Sequence, residues 1–227
     1  MMTPRVPLEF TTGPDPVATI ILIHGLGASG ETFRPVAQVL DLSTVGAVRF
    51  VLPNAPVRPV SICGGERMPA WYDLLDQNFV VREDEVGLKE AAAYLTQLID
   101  REIERGMVPG RIVIGGFSQG GAMSLMTGLR YSRPLAGIAD LSGYLPLAPA
   151  TGRERTAASR ATPIFMGHGT RDGIVPLALA GAAARRHLAG WGYDITWRTY
   201  PMDHTIIEAE IRDLNIWLSD VLKPTTL

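Results

Sequence analysis

Short runs of apolar residues alternate along this chain with longer segments in which apolar residues recur every three or four positions. The short runs are rich in Val, Ile and Leu, which is typical of strands buried on both faces of a sheet. They predict seven strands, the first at a sheet edge: Val6–Phe10, Ala18–His24, Val48–Leu52, Arg111–Gly115, Leu135–Leu141, Pro163–Gly167 and Asp194–Tyr200. The longer segments each present one apolar face and predict helices over Glu85–Arg105, Val175–Trp191 and Thr205–Leu222.

This alternation of strands and helices favours an α/β fold with a mostly parallel central sheet and helices on both faces. We expect residues 1–227 to form a single domain, because a chain of this length can share one core and no repeat or linker-like stretch interrupts it. Ligands of such sheets bind beyond the carboxyl ends of the strands. Candidate site residues are therefore those that follow the predicted strands.

The most informative of these places is the turn that follows the strand predicted at Arg111–Gly115. Residues 116–120 read Gly-Phe-Ser-Gln-Gly and match G-x-S-x-G, with helical spacing directly afterwards. A serine in such a strand-to-helix turn adopts a strained backbone conformation, and the flanking glycines avoid contacts that side chains would make. We therefore predict Ser118 as a nucleophile and the backbone N–H of Gln119 as one donor of an oxyanion hole.

A serine nucleophile needs a base, and the chain has four histidines to choose from. His24 closes a strand, His168 lies between a strand and a turn, and His187 lies in an alanine-rich helix. His204 follows the last predicted strand and precedes the last predicted helix, so that its loop can bring the imidazole over Ser118. We predict His204 as the base.

An acid that orients the histidine is expected between the serine and the histidine in α/β-hydrolases. Asp172, in "MGHGTRDGIVP", lies on a loop past a predicted strand and is favoured. Asp140, near the end of the preceding predicted strand, is the alternative. Asp203 adjoins His204, and a hydrogen bond between two such neighbours is awkward.

The stretch "HGLGASG" at residues 24–30 allows two interpretations. Its glycines fit G-x-G-x-x-G, the spacing of a dinucleotide-binding loop, but such a site expects an acidic residue about 20 positions later. No Asp or Glu occurs from residue 42 to residue 65, although Arg49 or Arg58 could serve a 2′-phosphate. We favour the second interpretation, in which the Leu26 N–H is the other oxyanion donor.

Composition narrows the classes of function. The chain is 46% hydrophobic and 19% charged with a net charge of −2, so there is no electrostatic argument for nucleic acid or an anionic membrane. Its one cysteine, Cys63, cannot form an intrachain disulfide, which fits a reducing compartment. We see no signal peptide, no run of ~20 apolar residues and no metal-ligand spacing, and expect a cytoplasmic protein without stable membrane insertion.

Taken together, several stretches resemble the phospholipase/carboxylesterase family of α/β-hydrolases, which includes acyl-protein thioesterases. They run in order from about residue 18 to 206: "LIHGLGASG", "LPNAPVRPV", "MPAWYDL", "GGFSQGGAMSL", "LSGYLPL", "GHGTRDGIVP" and "HTI". The resemblance implies no large cap domain, the same three catalytic side chains and two oxyanion donors, and esterase or thioesterase activity without a cofactor. Two positions depart from the family pattern: Ala28, where many relatives carry an acidic residue, and Tyr144, where some thioesterases carry tryptophan.

The substrate is expected to contact the long connection over residues 54–82, since connections of this length are often functional. Trp71, Leu74, Leu75 and Tyr144 are predicted to wall an apolar acyl groove, although Trp71 and the leucines could instead pack this connection onto the core. The favoured function is a carboxylesterase that cleaves esters of short-to-medium acyl chains through an acyl-serine. Alternatives are an acyl-protein thioesterase or lysophospholipase and, from other classes, a non-catalytic binding module or a dehydrogenase.

Overall fold

The computed structural model describes residues 5–223, so both ends of the predicted domain, 1–4 and 224–227, lie outside the described residues. These residues form nine strands: β1 Arg5–Thr11, β2 Ala18–Ile23, β3 Val48–Asn54, β4 Val57–Val60, β5 Glu66–Pro69, β6 Ile112–Phe117, β7 Gly137–Leu141, β8 Ile164–Gly169 and β9 Ile195–Tyr200. They also form six α-helices: α1 Gly30–Gln38, α2 Glu85–Glu104, α3 Gln119–Arg130, α4 Ala148–Glu154, α5 Gly181–Gly190 and α6 Glu208–Val221. No described helix combines the length and the apolar character that crossing a membrane requires.

Seven of the strands form one sheet in the order β1-β3-β2-β6-β7-β8-β9, and β4 pairs with β5 in a separate hairpin. All neighbours in the large sheet are parallel except β1, which runs antiparallel along β3. The predicted α/β architecture and the seven predicted strands are thereby confirmed.

Two apolar clusters cover the two faces of the sheet. Because successive strand residues point to opposite faces, Ile21 and Ile23 of β2 join the cluster with α2, α3 and α5, whereas Ile20 and Leu22 join the cluster with α1 and α6. This packing on both faces is why the strands are continuous apolar runs rather than alternating ones.

Some elements differ from the sequence-based expectation. The helix predicted from Val175 begins only at Gly181, because Pro176 follows Val175 and the backbone N–H of Val175 donates instead to the Asp172 carboxylate. Helix α1 was not predicted from the apolar pattern. It begins after Ser29, whose side chain caps the helix in a reciprocal arrangement with Thr32.

One carboxyl group is buried in the first turn of α6 without a compensating charge. Glu210 is fully buried, and neither of its carboxyl oxygens has a hydrogen-bond partner among the described residues. Burial, with a smaller contribution from Asp140, raises the pKa of Glu210 to about 8. In the unfolded chain the same group ionises near 4.5, so the unfolded state binds fewer protons between these two pH values.

We therefore expect Glu210→Gln to raise the melting temperature at pH 8 and to lose this advantage as the pH falls towards 4.5. Stability that Glu210 provides is fully present below its unfolded pKa and is lost as the pH rises through its folded pKa. Each unit by which folding shifts the pKa changes the free energy of unfolding by about 1.4 kcal/mol, which corresponds to roughly 3–5 °C in melting temperature for a chain of this size. Thermal unfolding from pH 4.5 to 8.5 measures the effect. The exposed Glu208→Gln, in the same helical turn, is the matched control and should follow the wild type; an identical pH dependence for the Glu210 variant would contradict the prediction.

Candidate active site

Ser118 lies in the turn between β6 and α3 and has φ of 57° and ψ of −119°, a conformation that a residue with a side chain rarely adopts. The neighbouring glycines make it possible. A Cβ at Gly116 would lie 2.6 Å from the Ile23 carbonyl oxygen, and a Cβ at Gly120 only 2.1 Å from the same oxygen. Both positions therefore require glycine, and the strained turn is held by close contact between α3 and the end of β2.

Three polar side chains meet at this turn. The hydroxyl of Ser118 lies 2.9 Å from His204 Nε2, and His204 Nδ1 lies 2.7 Å from Asp172 Oδ2. Because a carboxylate accepts hydrogen bonds, Nδ1 carries the proton and Nε2 is left to accept the serine proton. The structure thus brings together Ser118, Asp172 and His204 from loops that follow β6, β8 and β9, and their catalytic roles stay a prediction.

The Asp172 carboxylate is held rigidly from its other side. Its Oδ1 accepts hydrogen bonds from the backbone N–H groups of Ile174 at 3.0 Å and Val175 at 2.8 Å. The Val175 carbonyl in turn accepts a 2.8 Å bond from His168 Nε2. Burial lowers the pKa of His168, so this imidazole is neutral at pH 7 and supports the loop without competing as a cation for Asp172.

The alternative acid, Asp140, occupies a different environment. It lies within β7 beside the first turn of α3, where a Cβ on Gly121 would approach its Oδ1 to 2.2 Å. Burial raises the pKa of Asp140 to about 8, against a smaller opposing effect of the Gly143 N–H. Among the described residues no histidine is hydrogen-bonded to it, because its side chain points under the helix rather than beyond the strand end.

The predicted oxyanion donors belong to the loop after β2 and to the first residue of α3. A Cβ on Gly25 would be 3.3 Å from both the Phe117 carbonyl oxygen and Ser118 Cβ, so the loop after β2 packs directly against the nucleophile turn. Within residues 5–223, neither the Leu26 N–H nor the Gln119 N–H donates to a protein acceptor. Both groups are therefore available to a negatively charged oxygen, and the oxyanion hole remains a prediction.

The dinucleotide interpretation of the same loop loses its support. Arg49 lies at the start of β3, at the opposite edge of the sheet, and pairs with the buried Glu102 at 3.3 Å. Arg58 pairs with Asp84 at 3.7 Å. Each arginine is already paired with a carboxylate of this chain, which disfavours its binding a 2′-phosphate at that loop.

An apolar cavity of about 300 Å³ opens beside the serine and histidine. Its wall includes two of the predicted groove residues, Leu74 and Tyr144. The sequence did not single out Phe79, which stacks on the Tyr144 ring with centroids 5.5 Å apart. The remaining large apolar side chains of the wall are Leu26, Phe33, Ile62, Phe117, Ile174 and Val175. The only sequence signal for Phe79 is that it is an aromatic residue directly after the polar run Asp76–Asn78.

Two of the expected groove residues lie elsewhere, which corrects that expectation. Trp71 is fully buried and does not line the cavity; its indole N–H donates to the His24 carbonyl and its ring stacks on Tyr94. Leu75 is partly buried and is also absent from the cavity wall. The alternative interpretation, in which this connection packs onto the core, applies to Trp71 because the end of the β4–β5 hairpin turns it inward.

The remaining cysteine and histidine side chains do not contribute to the cluster around Ser118. Within residues 5–223, no group of three or more His, Cys, Asp and Glu side chains is arranged to hold a metal ion. Cys63 is exposed, in a short 3₁₀ turn over Ser61–Cys63. His187 lies near the end of α5 with its ring against Trp191, and the histidine that contacts Ser118 is His204.

Comparison with known proteins gives consistent matches over nearly the whole chain. A family model described as Phospholipase/Carboxylesterase matches residues 12–222. The chain is 40% identical to a Gibberella zeae protein named acyl-protein thioesterase 1, over 96% of each sequence. Among solved structures, a variant of Arabidopsis thaliana SOBER1 is 32% identical with a TM-score of 0.86, covering 91% of this chain and all of that one. Zea mays acyl-protein thioesterase 2 is 25% identical with a TM-score of 0.80, covering 95% and 99%.

Replacing each candidate acid by asparagine distinguishes between Asp172 and Asp140. We expect Asp172→Asn to lower kcat by on the order of 10³–10⁴-fold, because an amide in that place stabilises the wrong imidazole tautomer and no imidazolium. Asp140→Asn is the matched control and should retain activity near pH 7, since the raised pKa leaves that carboxyl uncharged there. Steady-state hydrolysis of p-nitrophenyl acetate measures both, and the reverse pattern would reassign the acid.

Proposed function

We propose that this chain, which belongs to the phospholipase/carboxylesterase family, is a thioesterase that removes acyl groups of short-to-medium length from proteins. Hydrolysis of esters or thioesters follows from the family. The observation that carries the proposal is the hydrogen-bonded series Ser118–His204–Asp172 at the mouth of an apolar cavity. A cavity of this kind suits the acyl part of a substrate, and the hydrogen bonds suit attack on its carbonyl carbon.

In the proposed mechanism the Ser118 oxygen attacks the acyl carbonyl while His204 Nε2 takes the hydroxyl proton. Asp172 holds the imidazole tautomer and stabilises the imidazolium that forms. The N–H groups of Leu26 and Gln119 bind the oxyanion, each worth about 10²–10³ in turnover. His204 then returns the proton to the departing sulfur, and water, activated by the same base, cleaves the acyl-serine to the free acid.

The thioester preference is favoured by the relatives. Several proteins 36–42% identical to this chain, from different fungi, are named acyl-protein thioesterase 1. The sequence alone favoured small-ester carboxylesterase activity, and these names make the thioesterase alternative the better supported one. The mouth of the cavity is consistent with a protein substrate, since Ile62 and Ile174 on its rim are 37% and 63% exposed and leave room for a bulky leaving group.

The size of the cavity supports a limited acyl length. Its volume of about 300 Å³ equals that of about ten water molecules at ~30 Å³ each, and a methylene group takes roughly the space of one water. An acyl chain of about eight to ten carbons would fill it. Phe79 contributes to this limit because its ring stacks on Tyr144 and occupies part of the cavity wall.

The loop that carries Phe79 is held in place at its base. Leu74 and Glu83 form an antiparallel bridge that closes the loop, and the Glu83 carboxylate accepts a 2.6 Å bond from the Leu147 N–H. Burial raises the pKa of Glu83, as expected for a carboxylate held partly inside the protein. The aromatic wall is therefore supported by a fixed loop.

We expect Ser118→Ala to abolish hydrolysis of an S-octanoyl peptide and labelling by a fluorophosphonate, with an unchanged circular dichroism spectrum. The reason is that both reactions need the serine oxygen as the nucleophile. Wild-type kcat/KM is compared on matched octanoyl thioesters and oxygen esters of one peptide. Equal or higher activity on the oxygen ester would favour the carboxylesterase alternative, and retention of wild-type activity by the alanine variant would remove Ser118 from its role.

We expect Phe79→Ala to move the preferred acyl length upwards by several carbons, because removing the ring enlarges the cavity. Hydrolysis of p-nitrophenyl esters from acetyl to palmitoyl measures the profile. The acetyl ester should be hydrolysed about as fast as by the wild type, since it does not reach that wall. Phe165→Leu, a buried ring of the opposite cluster, is the control for general loosening and should leave the preferred length unchanged. A wild-type profile still rising at palmitoyl would contradict the proposed limit.

A further inference from the structure

We infer that Trp71 is a positioning residue that links the two predicted oxyanion donors, the N–H groups of Leu26 and Gln119. The inference rests on the proposed function, since it concerns the same hydrolytic site. Trp71 belongs to the connection after β5 and touches neither Ser118 nor the cavity. Its two N–H groups form hydrogen bonds in two directions. The indole N–H donates to the chain at the end of β2, and the backbone N–H donates to the side chain of the first residue of α3.

The first direction runs through His24. Trp71 Nε1–H donates to the His24 carbonyl oxygen at 2.8 Å. The His24 ring, which lies 5.1 Å from the Trp71 ring, accepts a hydrogen bond at Nε2 from the Ala55 N–H at 3.1 Å. A backbone N–H can only donate, so Nε2 is unprotonated and Nδ1 carries the proton. Burial lowers the pKa of His24 and keeps this neutral form at pH 7.

That proton fixes the direction of one donor. His24 Nδ1–H donates to the Gly25 carbonyl oxygen at 2.7 Å. The Gly25 carbonyl and the Leu26 N–H belong to one planar trans peptide unit, in which the N–H points away from the carbonyl. Holding the Gly25 oxygen therefore sets the direction of the Leu26 N–H, and Trp71 holds the backbone of the histidine that does so.

The second direction runs through the side chain of Gln119. The Trp71 backbone N–H donates to Gln119 Oε1 at 3.1 Å, and Gln119 Nε2 donates to the Tyr72 carbonyl at 3.1 Å. The side-chain amide is thus bonded at both ends to the backbone of consecutive residues. Since Gln119 is almost completely buried, these bonds have little competition from water, and they fix the residue whose own N–H is the second donor.

A third bond ties the glycine-rich loop to the same segment. The Gly27 N–H donates to the Pro69 carbonyl at 2.8 Å, from a backbone with φ of 74° that favours glycine. The loop after β2 and the start of α3 are therefore both bonded to residues 69–72. This segment sets the distance between the two donors. An oxyanion hole requires that its donors are already in place before the reaction.

The consequence is specific to the transition state. Loosening the segment misplaces N–H groups that bind the oxyanion strongly and the ground-state carbonyl only weakly, so kcat should fall and KM should change little. Displacement of a catalytic group by about 1 Å can cost on the order of 10²-fold in rate. A residue that merely stabilised the fold would instead lower the amount of active protein without changing the kinetic constants of the folded fraction.

The test is Trp71→Phe, which keeps an aromatic ring, is smaller than tryptophan and removes the indole N–H that donates to His24. We expect kcat for p-nitrophenyl octanoate to fall about tenfold with KM within twofold, and the dissociation constant of octylboronic acid, which forms a tetrahedral adduct on serine, to rise about as much. Gln119→Met, which removes both hydrogen bonds of the side-chain amide at similar side-chain length, should have the same effects. The double variant should lose less than the product of the two effects, since both substitutions interrupt one linkage.

Trp217→Phe is the matched control, because its indole is buried in the opposite cluster against Phe165. It should keep the wild-type kcat and boronate affinity even if its melting temperature is lower than that of the wild type. Folded Trp71→Phe and Gln119→Met proteins with wild-type kcat and boronate affinity would overturn the inference, and if the tryptophan variant does not fold, Gln119→Met alone decides in the same way. An inactive wild type would instead overturn the proposed function, so the two failures are distinguishable.

Discussion

The close contact between the start of α3 and the carboxyl end of β2 is the constraint on which the rest of the site depends. No side chain fits at Gly120, which faces the Ile23 carbonyl, so the helix reaches the neighbouring strand at backbone distance. The tight approach forces the chain into the left-handed conformation of Ser118. It also sets the nucleophile directly beside the loop that leaves β2, which carries the predicted oxyanion donor Leu26.

The parallel order of the strands brings the side chains of His204 and Asp172 to the turn that carries Ser118. Because β6, β7, β8 and β9 run in one direction, all their carboxyl ends meet at one edge, and loops from the last two reach the serine. Asp172 is fixed there by two backbone N–H groups, while neutral His168 anchors the loop behind it. Burial keeps His24 and His168 uncharged, so both act as hydrogen-bonding groups of defined direction, and His204 is the histidine that contacts the serine.

The connection after β5 contacts both the loops of the predicted oxyanion donors and the wall of the cavity. Its first part, residues 69–72, bonds to the glycine-rich loop and to Gln119. Its continuation places Leu74 and Phe79 in the cavity wall against Tyr144. One segment is thus bonded to both loops that carry the predicted oxyanion donors and also lines the cavity proposed for the acyl chain, so changes in this segment are expected to affect both properties.

From the sequence alone one can infer the α/β fold, the seven strands of the main sheet, the family and the three side chains that meet in the turn after β6. These features are encoded locally, in apolar runs, in glycines around the serine, and in the order of strands and polar loop residues. Local patterns did not predict helix α1, the β4–β5 hairpin or the position of Phe79 in the cavity wall. Two placements depend on packing between distant segments: Asp140 points beneath α3, and Trp71 is buried as a hydrogen-bonding link rather than exposed in the groove. The reason is physical: an indole ring suits a ligand wall and a core equally well, and its partners, His24 and Gln119, are 47 and 48 residues away along the chain, brought to it only by the packing of the whole sheet.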